Sequence, residues 1–395
     1  MSKAEILIGP YRSGKTKCLV RELMLATKTA LQSGSEVWLV VPSKRYEKFI
    51  KSLIVQNMKE SGIKVVAGLR IFAFYDMCAQ ILRQSQVSFK LIPESLRATV
   101  VGRAMSNLQK RGELQNLEPV AEFKGTYAAL LELIDEFQRA GLSPIEVMTR
   151  VTDTAFNESR YVELARIYAE YWNELDNLGY IDSRRLAFKC REVLALQENK
   201  LKIDTIAFDG FDRFNKLQMG VFNELAPHAD QLKIVFDYDE SDPENVQYIW
   251  KGPNYKDLMD GFASAQKRVF EKGAITQAPI ECFRTVDRAF EMDHVVRLVK
   301  EAMVNEEISG SDILVLVPSM RKYRASLETA FVDASLPYFI DDTVDLKSQP
   351  VVQFVIKLLR LHKDNYKRAD LLSILRNVYF KSHAYDLSKE EIEKF

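Results

Sequence analysis

The sequence predicts an α/β protein in which parallel β-strands alternate with helices and a long helical segment interrupts the sheet. Three observations support this fold class. Short β-branched runs alternate with stretches of helical periodicity over the first 90 residues. Strand patterns then disappear between residues 91 and 199, where long amphipathic stretches follow one another. Strand patterns return at Thr205.

The predicted strands are short apolar runs bounded by turn residues. They are Glu5–Ile8, Val37–Val41, Lys64–Ala67, Thr205–Phe208, Lys233–Phe236 and Asp312–Val317. Helices are predicted between the early strands, at Lys15–Leu31 and Ala73–Leu82. Parallel neighbours need a long crossover connection, which is usually a helix. The alternation therefore predicts parallel sheets with helices on both faces.

The same patterns divide the chain into domains. Residues 1–90 and 200–277 are predicted to form one α/β domain that is split in the sequence, and residues 91–199 form a helical subdomain inserted into it. Residues 278–395 begin a second α/β domain. Ser388 and Glu391 form a capping box that opens a helix near the end of the sequence. We therefore expect an incomplete second domain in a piece of a longer protein.

Composition narrows the functional classes. Basic and acidic residues balance at 55 each, so contacts with nucleic acid must come from local patches. The four cysteines and four histidines are scattered, which indicates neither a disulfide framework nor a zinc site. The longest apolar runs are far shorter than a membrane span, and no signal peptide is recognisable. These features predict a cytoplasmic protein without a membrane partner.

The segment Gly9–Cys18, GPYRSGKTKC, fits the phosphate-binding pattern G-x-x-x-x-G-K-[ST] between a predicted strand and a predicted helix. The predicted nucleotide-binding residues are Gly9, Arg12, Ser13, Gly14, Lys15 and Thr16. In such loops backbone N–H groups face the phosphates, the lysine reaches the β- and γ-phosphates, and the hydroxyl ligates Mg²⁺. Asp209 ends a later strand and is the predicted second metal-binding residue. The expected cofactor is ATP with Mg²⁺.

The usual hydrolytic base is missing. Hydrolysis needs a group that orients the attacking water, and in helicase-type ATPases a glutamate follows the metal-binding aspartate. Gly210 occupies that position here, and Asp212 lies two residues further on. Asp212 is therefore a candidate for an alternative base.

The order of segments resembles superfamily 1 helicases of the UvrD/Rep type. It is most similar to AddB/RexB-type B subunits of bacterial ATP-dependent helicase–nucleases. The resemblance covers nearly the whole chain. It rests on five segments: the phosphate loop, EVWLVVPSKRYEKF, DTIAFDGFDRF, QLKIVFDYDES and SDILVLVPSMRKY. It implies two RecA-like P-loop domains, DNA as a partner, and an AddA-type subunit that supplies the motor. It also implies a role in recombination and repair of double-strand breaks. The exonuclease domain of the family, with its iron–sulfur cysteines, lies at the C-terminal end, so no iron–sulfur cluster is expected here.

Four departures from the helicase pattern surround the predicted nucleotide site. No glutamine precedes the loop, Gly210 replaces the catalytic glutamate, and FDYDE lacks the glutamine that senses the γ-phosphate. Pro318 stands where motors place an arginine. These departures imply a degenerate motor. The alternative is an active ATP-dependent helicase that uses Asp212 as its base. A small-molecule kinase is disfavoured because its lid would need clustered arginines.

Two segments at the ends of predicted strands are similar in sequence: LVVPSKRY, residues 39–46, and LVLVPSMRKY, residues 314–323. Each continues from a strand through Pro-Ser to basic residues and a tyrosine. The predicted DNA-binding residues are Ser43, Lys44, Arg45, Phe72, Ser319, Arg321 and Lys322. Their hydroxyl and basic groups suit phosphates, and the rings of Tyr46, Tyr323, Phe72 and Phe74 suit base stacking. The alternative is that each loop is an ordinary solvated loop.

Overall fold

The computed structural model describes residues 3–153, 159–196, 201, 203–271, 280–305, 307–342 and 346–380. The chain forms two compact units, Met1–Thr276 and Gln277–Phe395. Strands and helices both contribute to the first unit, so the predicted α/β class is confirmed. Ser388 and Glu391 lie outside the described residues.

The first unit is built on a sheet of six parallel strands. They are β1 (Lys3–Gly9), β2 (Glu36–Val41), β3 (Leu69–Ala73), β4 (Ile203–Phe208), β5 (Ala229–Asp237) and β6 (Gln266–Val269). The strand order is β3-β2-β4-β5-β1-β6, and every neighbouring pair is parallel. Gly9 pairs with Asp237 in the register of β1 and β5. The carboxyl ends of β1, β4 and β5 therefore lie side by side at one edge of the sheet.

Ten helices are described in the first unit. They are α1 (Lys15–Ser33), α2 (Lys44–Ser61), α3 (Phe74–Gln84), α4 (Glu94–Lys110), α5 (Lys124–Arg139), α6 (Pro144–Asp153), α7 (Ser159–Asn177), α8 (Ser183–Ala195), α9 (Lys216–Leu225) and α10 (Gly252–Gly261). Helices cover both faces of the sheet because successive strand side chains point to opposite faces. Leu7 packs into the core with α1 and α2, whereas Ile6 and Ile8 pack into the core with α3, α8 and α9.

Residues 94–195 contain α4 to α8, of which α4 to α7 enclose a third core of aliphatic and aromatic side chains, while α8 packs into the core with Ile6 and Ile8. A buried ionic cluster joins these helices. The Arg97 guanidinium, 1% exposed, pairs with Asp135 at 2.6 Å and donates to the Tyr171 hydroxyl at 3.0 Å. Arg184 of α8 pairs with the same aspartate at 2.7 Å. Burial of an isolated charge costs much free energy, so charged groups in a core are paired with opposite charges and hydrogen-bonded.

The second unit contains α11 (Arg288–Asn305), α12 (Met320–Asp333), α13 (Pro350–Arg360) and α14 (Arg368–Leu375). The predicted strand Asp312–Val317 is wrong, because no strand is present in the described residues of this unit. The segment still alternates like a strand. Leu314 and Leu316 are 78% and 83% exposed. The side chains that pack against the core of α11 and α12 are Ile313, Val315 and Val317. The alternation is present, but it lacks the hydrogen-bonded neighbour that defines a strand.

Two differences concern the first unit. The strand predicted at Lys64–Ala67 is wrong, since β3 begins after Gly68, whose φ of 83° turns the chain. β6 was not predicted, because its four side chains are all exposed and carry no apolar pattern. The other predicted strands of this unit are confirmed. In the described part of the chain, no helix is long and apolar enough to cross a membrane.

Candidate nucleotide site

The loop between β1 and α1 has a backbone that needs its glycines. A Cβ on Gly9 would collide with the carbonyl oxygen of Phe270, far inside van der Waals contact. Gly14 has φ 89°, in the left-handed region that glycine adopts without strain. Arg12 also has a positive φ of 63°. A left-handed backbone costs a non-glycine residue about 1–2 kcal/mol, so the local fold stores strain at this point.

The Lys15 side chain is drawn into the loop and is only 3% exposed. Its Nζ donates to the carbonyl oxygens of Gly9 at 2.8 Å and Pro10 at 2.6 Å, and to Ser13 Oγ at 3.0 Å. It also pairs with Asp237 Oδ1 at 2.8 Å. Of the predicted loop residues, Gly9 and Ser13 thus contact the Lys15 ammonium group. Asp237 was not predicted as part of the site. The signal that could have identified Asp237 is its place directly after the predicted strand Lys233–Phe236, which pairs with β1.

The structure brings together Thr16 and Asp209, the two predicted metal-binding residues. The Thr16 hydroxyl donates to Asp209 Oδ1 at 3.1 Å. Asp209 is fully buried, and its N–H donates to the carbonyl oxygen of Val40 at 3.1 Å. Burial raises the pKa of this carboxyl to about 6, although hydrogen bonds from Thr16 and Tyr46 lower it. A hydroxyl beside a carboxylate is an oxygen pair of the kind Mg²⁺ prefers, so the residues fit a magnesium nucleotide.

Tyr46 occupies the space beside Gly210. Its hydroxyl donates to Asp209 Oδ2 at 3.1 Å. Gly210 has φ 82°, and a Cβ there would lie 2.5–2.8 Å from the tyrosine ring carbons. Burial and the neighbouring Asp209 carboxylate raise the pKa of Tyr46, which keeps the phenol protonated. The position of the missing glutamate is therefore filled by an aromatic ring, which was not foreseen.

The alternative base, Asp212, has a different partner. Its carboxylate is 75% exposed and pairs with Lys251 Nζ at 3.0 Å. Lys251 is itself only 5% exposed and lies over the rings of Phe236 and Trp250. The ion pair joins Asp212, which follows β4, to the segment that follows β5.

The first predicted DNA-binding loop opens α2. The Ser43 hydroxyl accepts from the Tyr46 N–H at 3.2 Å and caps the helix. Lys44 is 73% exposed and pairs with Asp76 at 2.5 Å, and Arg45 is exposed. These side chains stand at the surface, as an interface residue must.

The aromatic candidates near this loop are less open. The Phe72 ring is half-buried and lies edge-on against Trp38, with centroids 5.0 Å apart. Phe74 is 3% exposed, so its ring is not available to a nucleic-acid base. Its prediction as a stacking face is wrong, because the ring belongs to the core beneath the sheet.

The second loop opens α12 in a similar way. Ser319 occupies the cap position, and Arg321 and Lys322 are exposed. The Tyr323 hydroxyl donates to Glu291 Oε2 at 3.1 Å. Each loop therefore places a serine before a helix, exposed basic residues in its first turn, and a tyrosine whose hydroxyl donates to a carboxylate of another element. Among the described residues, no three His, Cys, Asp or Glu side chains gather as a metal-binding group.

Residues 6–267 match the family model described as ADDB, N-terminal. The chain belongs to this family. It is 23% identical over 432 residues to the B subunit of the ATP-dependent helicase/deoxyribonuclease of Thermoanaerobacter sp. (strain X514), covering 98% of this chain and 36% of that protein. The protein of the same name from Bacillus subtilis (strain 168) is 19% identical over 405 residues, covering 92% of this chain and 34% of the relative. The chain thus spans about a third of the length of these curated relatives.

Proposed function

We propose that this chain is the N-terminal, helicase-like part of the B subunit of an ATP-dependent helicase–nuclease that processes DNA double-strand breaks. The family match and the printed names of the relatives support this role. The parallel sheet, with the Gly9–Thr16 loop between β1 and α1, supports a RecA-like P-loop domain of the superfamily 1 type. Its proposed partners are DNA and an AddA-type subunit, and its proposed compartment is the cytoplasm.

The loop is proposed to hold ATP or ADP with magnesium. Lys15 would exchange its contacts to loop carbonyls for phosphate oxygens, and the Thr16 hydroxyl with the Asp209 carboxylate would hold the metal. Bound magnesium would supply neutralisation of the phosphate charge. Asp237 competes for Lys15, so it weakens the affinity for an anionic ligand.

The same site is proposed to hydrolyse ATP negligibly. The single observation that carries this proposal is the Tyr46 ring beside Gly210, where the base of an active motor would be. A protonated phenol cannot take a proton from water as a carboxylate does. The alternative base suggested by the sequence, Asp212, is paired with Lys251. Ser43, Lys44 and the corresponding loop before α12 are proposed to contact DNA phosphates without a motor cycle.

The second candidate function is an active ATP-dependent helicase. The arrangement of Lys15, Thr16 and Asp209 favours it, because these are the residues a working site needs for the phosphates and the metal. The two candidates differ in turnover and agree on binding.

The test is nucleotide binding and steady-state ATPase on the purified chain, with and without single-stranded DNA. A fluorescent ATP analogue with Mg²⁺ should bind, while turnover stays below about one per minute. Lys15→Ala should weaken binding by about 10- to 100-fold, because it removes a charge-assisted contact. Lys17→Ala is the matched control, since that lysine is 44% exposed and pairs with Glu60 on the surface. Brisk turnover that DNA stimulates and Lys15→Ala abolishes would establish the helicase instead.

A further inference from the structure

Tyr46 lies in the first turn of α2, and its hydroxyl reaches the proposed metal side of the nucleotide site. Its hydroxyl donates to Asp209 Oδ2, while Asp209 Oδ1 accepts from Thr16, both at 3.1 Å. Its backbone N–H donates to Ser43 Oγ at 3.2 Å, which is the hydrogen bond that caps α2. One residue therefore belongs to both networks.

The ring between these two ends is confined. On one side it lies against the Gly210 backbone, in space where a Cβ cannot be placed. The ring also meets Phe49 edge-on, with centroids 5.4 Å apart. It packs against the core that α1 and α2 share, and a packed core transmits displacement. A change at the hydroxyl must therefore move the first turn of α2.

A divalent cation at Thr16 and Asp209 would provide such a change. The carboxylate now divides its two oxygens between the hydroxyls of Thr16 and Tyr46. A cation and its water shell would claim the same oxygens, so Tyr46 would have to find a new acceptor or withdraw. Gly210 blocks movement of the ring in its direction, which leaves displacement together with α2.

We propose that Tyr46 is a positioning residue that transmits occupancy of the nucleotide site to the first turn of α2. The exposed basic residues of that turn, Lys44 and Arg45, would then bind single-stranded nucleic acid with an affinity that depends on the nucleotide. This inference rests on the proposed nucleotide and DNA binding, and it assigns their coupling to one hydroxyl group.

The test compares the wild-type chain with Tyr46→Phe, which removes the hydroxyl and keeps the ring. Tyr255→Phe is the matched control, because its hydroxyl also donates to a carboxylate, that of Glu240, at 2.5 Å. Amide hydrogen exchange is followed with and without Mg²⁺ and ATPγS, at saturation established separately for each variant. Peptides covering residues 9–18 report the loop, and peptides covering residues 43–50 report α2.

In the wild type and in Tyr255→Phe, nucleotide should change exchange in both peptides. In Tyr46→Phe it should change exchange in the loop peptide alone. The ratio of oligonucleotide affinities with and without nucleotide should be about fivefold or more in the wild type and close to one in Tyr46→Phe. Because both affinities are measured on the same variant, a change in basal affinity cancels from the ratio.

The outcomes separate the two proposals. If the loop peptide of the wild type does not respond, the proposed nucleotide site fails, and the coupling fails with it. If the loop responds and α2 does not, or if Tyr46→Phe keeps the wild-type ratio, only the coupling through Tyr46 is overturned.

Discussion

Replacing Gly210 by alanine tests whether the Tyr46 ring closes the position of the hydrolytic base. The left-handed φ of 82° costs an alanine about 1–2 kcal/mol. The new Cβ would also lie 2.5 Å from the tyrosine Cζ, and overpacking of this kind typically costs about 1–3 kcal/mol. Together the two effects predict a loss of about 2–5 kcal/mol in the free energy of unfolding. For a unit of this size, that corresponds to a fall in Tm of roughly 4–20 °C.

The first unit offers a control that separates strain from collision. Gly34 has a similar φ of 69°, and nothing lies within 4 Å of a Cβ placed there. Gly34→Ala should therefore show the strain alone, about 1–2 kcal/mol. The difference between the two variants measures the collision with Tyr46. In a Tyr46→Ala background, Gly210→Ala should cost no more than Gly34→Ala does.

The assay is urea unfolding followed by tryptophan fluorescence. The three tryptophans of the chain, Trp38, Trp172 and Trp250, all lie in the first unit, so the signal reports that unit. If Gly210→Ala proves no more destabilising than Gly34→Ala, the Tyr46 ring yields freely. The position could then accept a carboxylate, and the structural reason for the proposed lack of ATP hydrolysis would be lost. On the present geometry, Gly210→Glu should destabilise the unit and create no ATPase.

Two further predictions concern the helical segment. Glu163 is 3% exposed; burial raises its pKa, but hydrogen bonds from the backbone of Asn116 and its neighbours outweigh this and lower it. Its contribution to stability should be fully present above pH 4.5 and lost as the pH falls through the lower folded-state pKa, because the unfolded chain then binds more protons. Glu163→Gln should lower the free energy of unfolding by about 1–3 kcal/mol at pH 7, measured by urea unfolding, and should not lower it in strong acid. An equal loss at both pH values would contradict this. Arg97→Met should cost about 3 kcal/mol, since it leaves Asp135 with less of its compensating charge. Thermal unfolding checks it, and a variant as stable as wild type would show that Arg184 suffices.

The loop was predictable because it fits a phosphate-binding pattern. The central strands were predictable because buried parallel strands appear in a sequence as continuous apolar runs. Val37–Val41 is such a run, and it matches β2 closely. β6 was not predictable in this way, since Gln266–Val269 joins the sheet through backbone hydrogen bonds with all four side chains exposed. Lys64–Ala67 shows the opposite error, a strand predicted where none forms. Its β-branched residues favour a strand, yet Val65 is 75% exposed and β3 begins only after Gly68.

The site was predictable as far as its motif reached. Thr16, Lys15 and Asp209 come together because a loop pattern and a strand end specify them locally. The role of Tyr46 depends on the first turn of α2 lying beside the end of β4, a relation between residues 163 positions apart that no local pattern encodes. Asp237 enters in the same way, through its strand register opposite Gly9.

The sheet order has a consequence for how the molecule is made. β1 is synthesised before β5, and Glu5 finds its ion-pair partner Lys233 on β5 only 228 residues later in the chain. At typical rates of synthesis, that interval lasts roughly 10–50 s, and closing so long a loop delays the pairing further. Until β5 arrives, β1 lacks the neighbouring strand that places the Gly9–Thr16 loop beside the end of β4, where Thr16 meets Asp209. A ligand of this loop can therefore stabilise the finished sheet, but it cannot help to nucleate it.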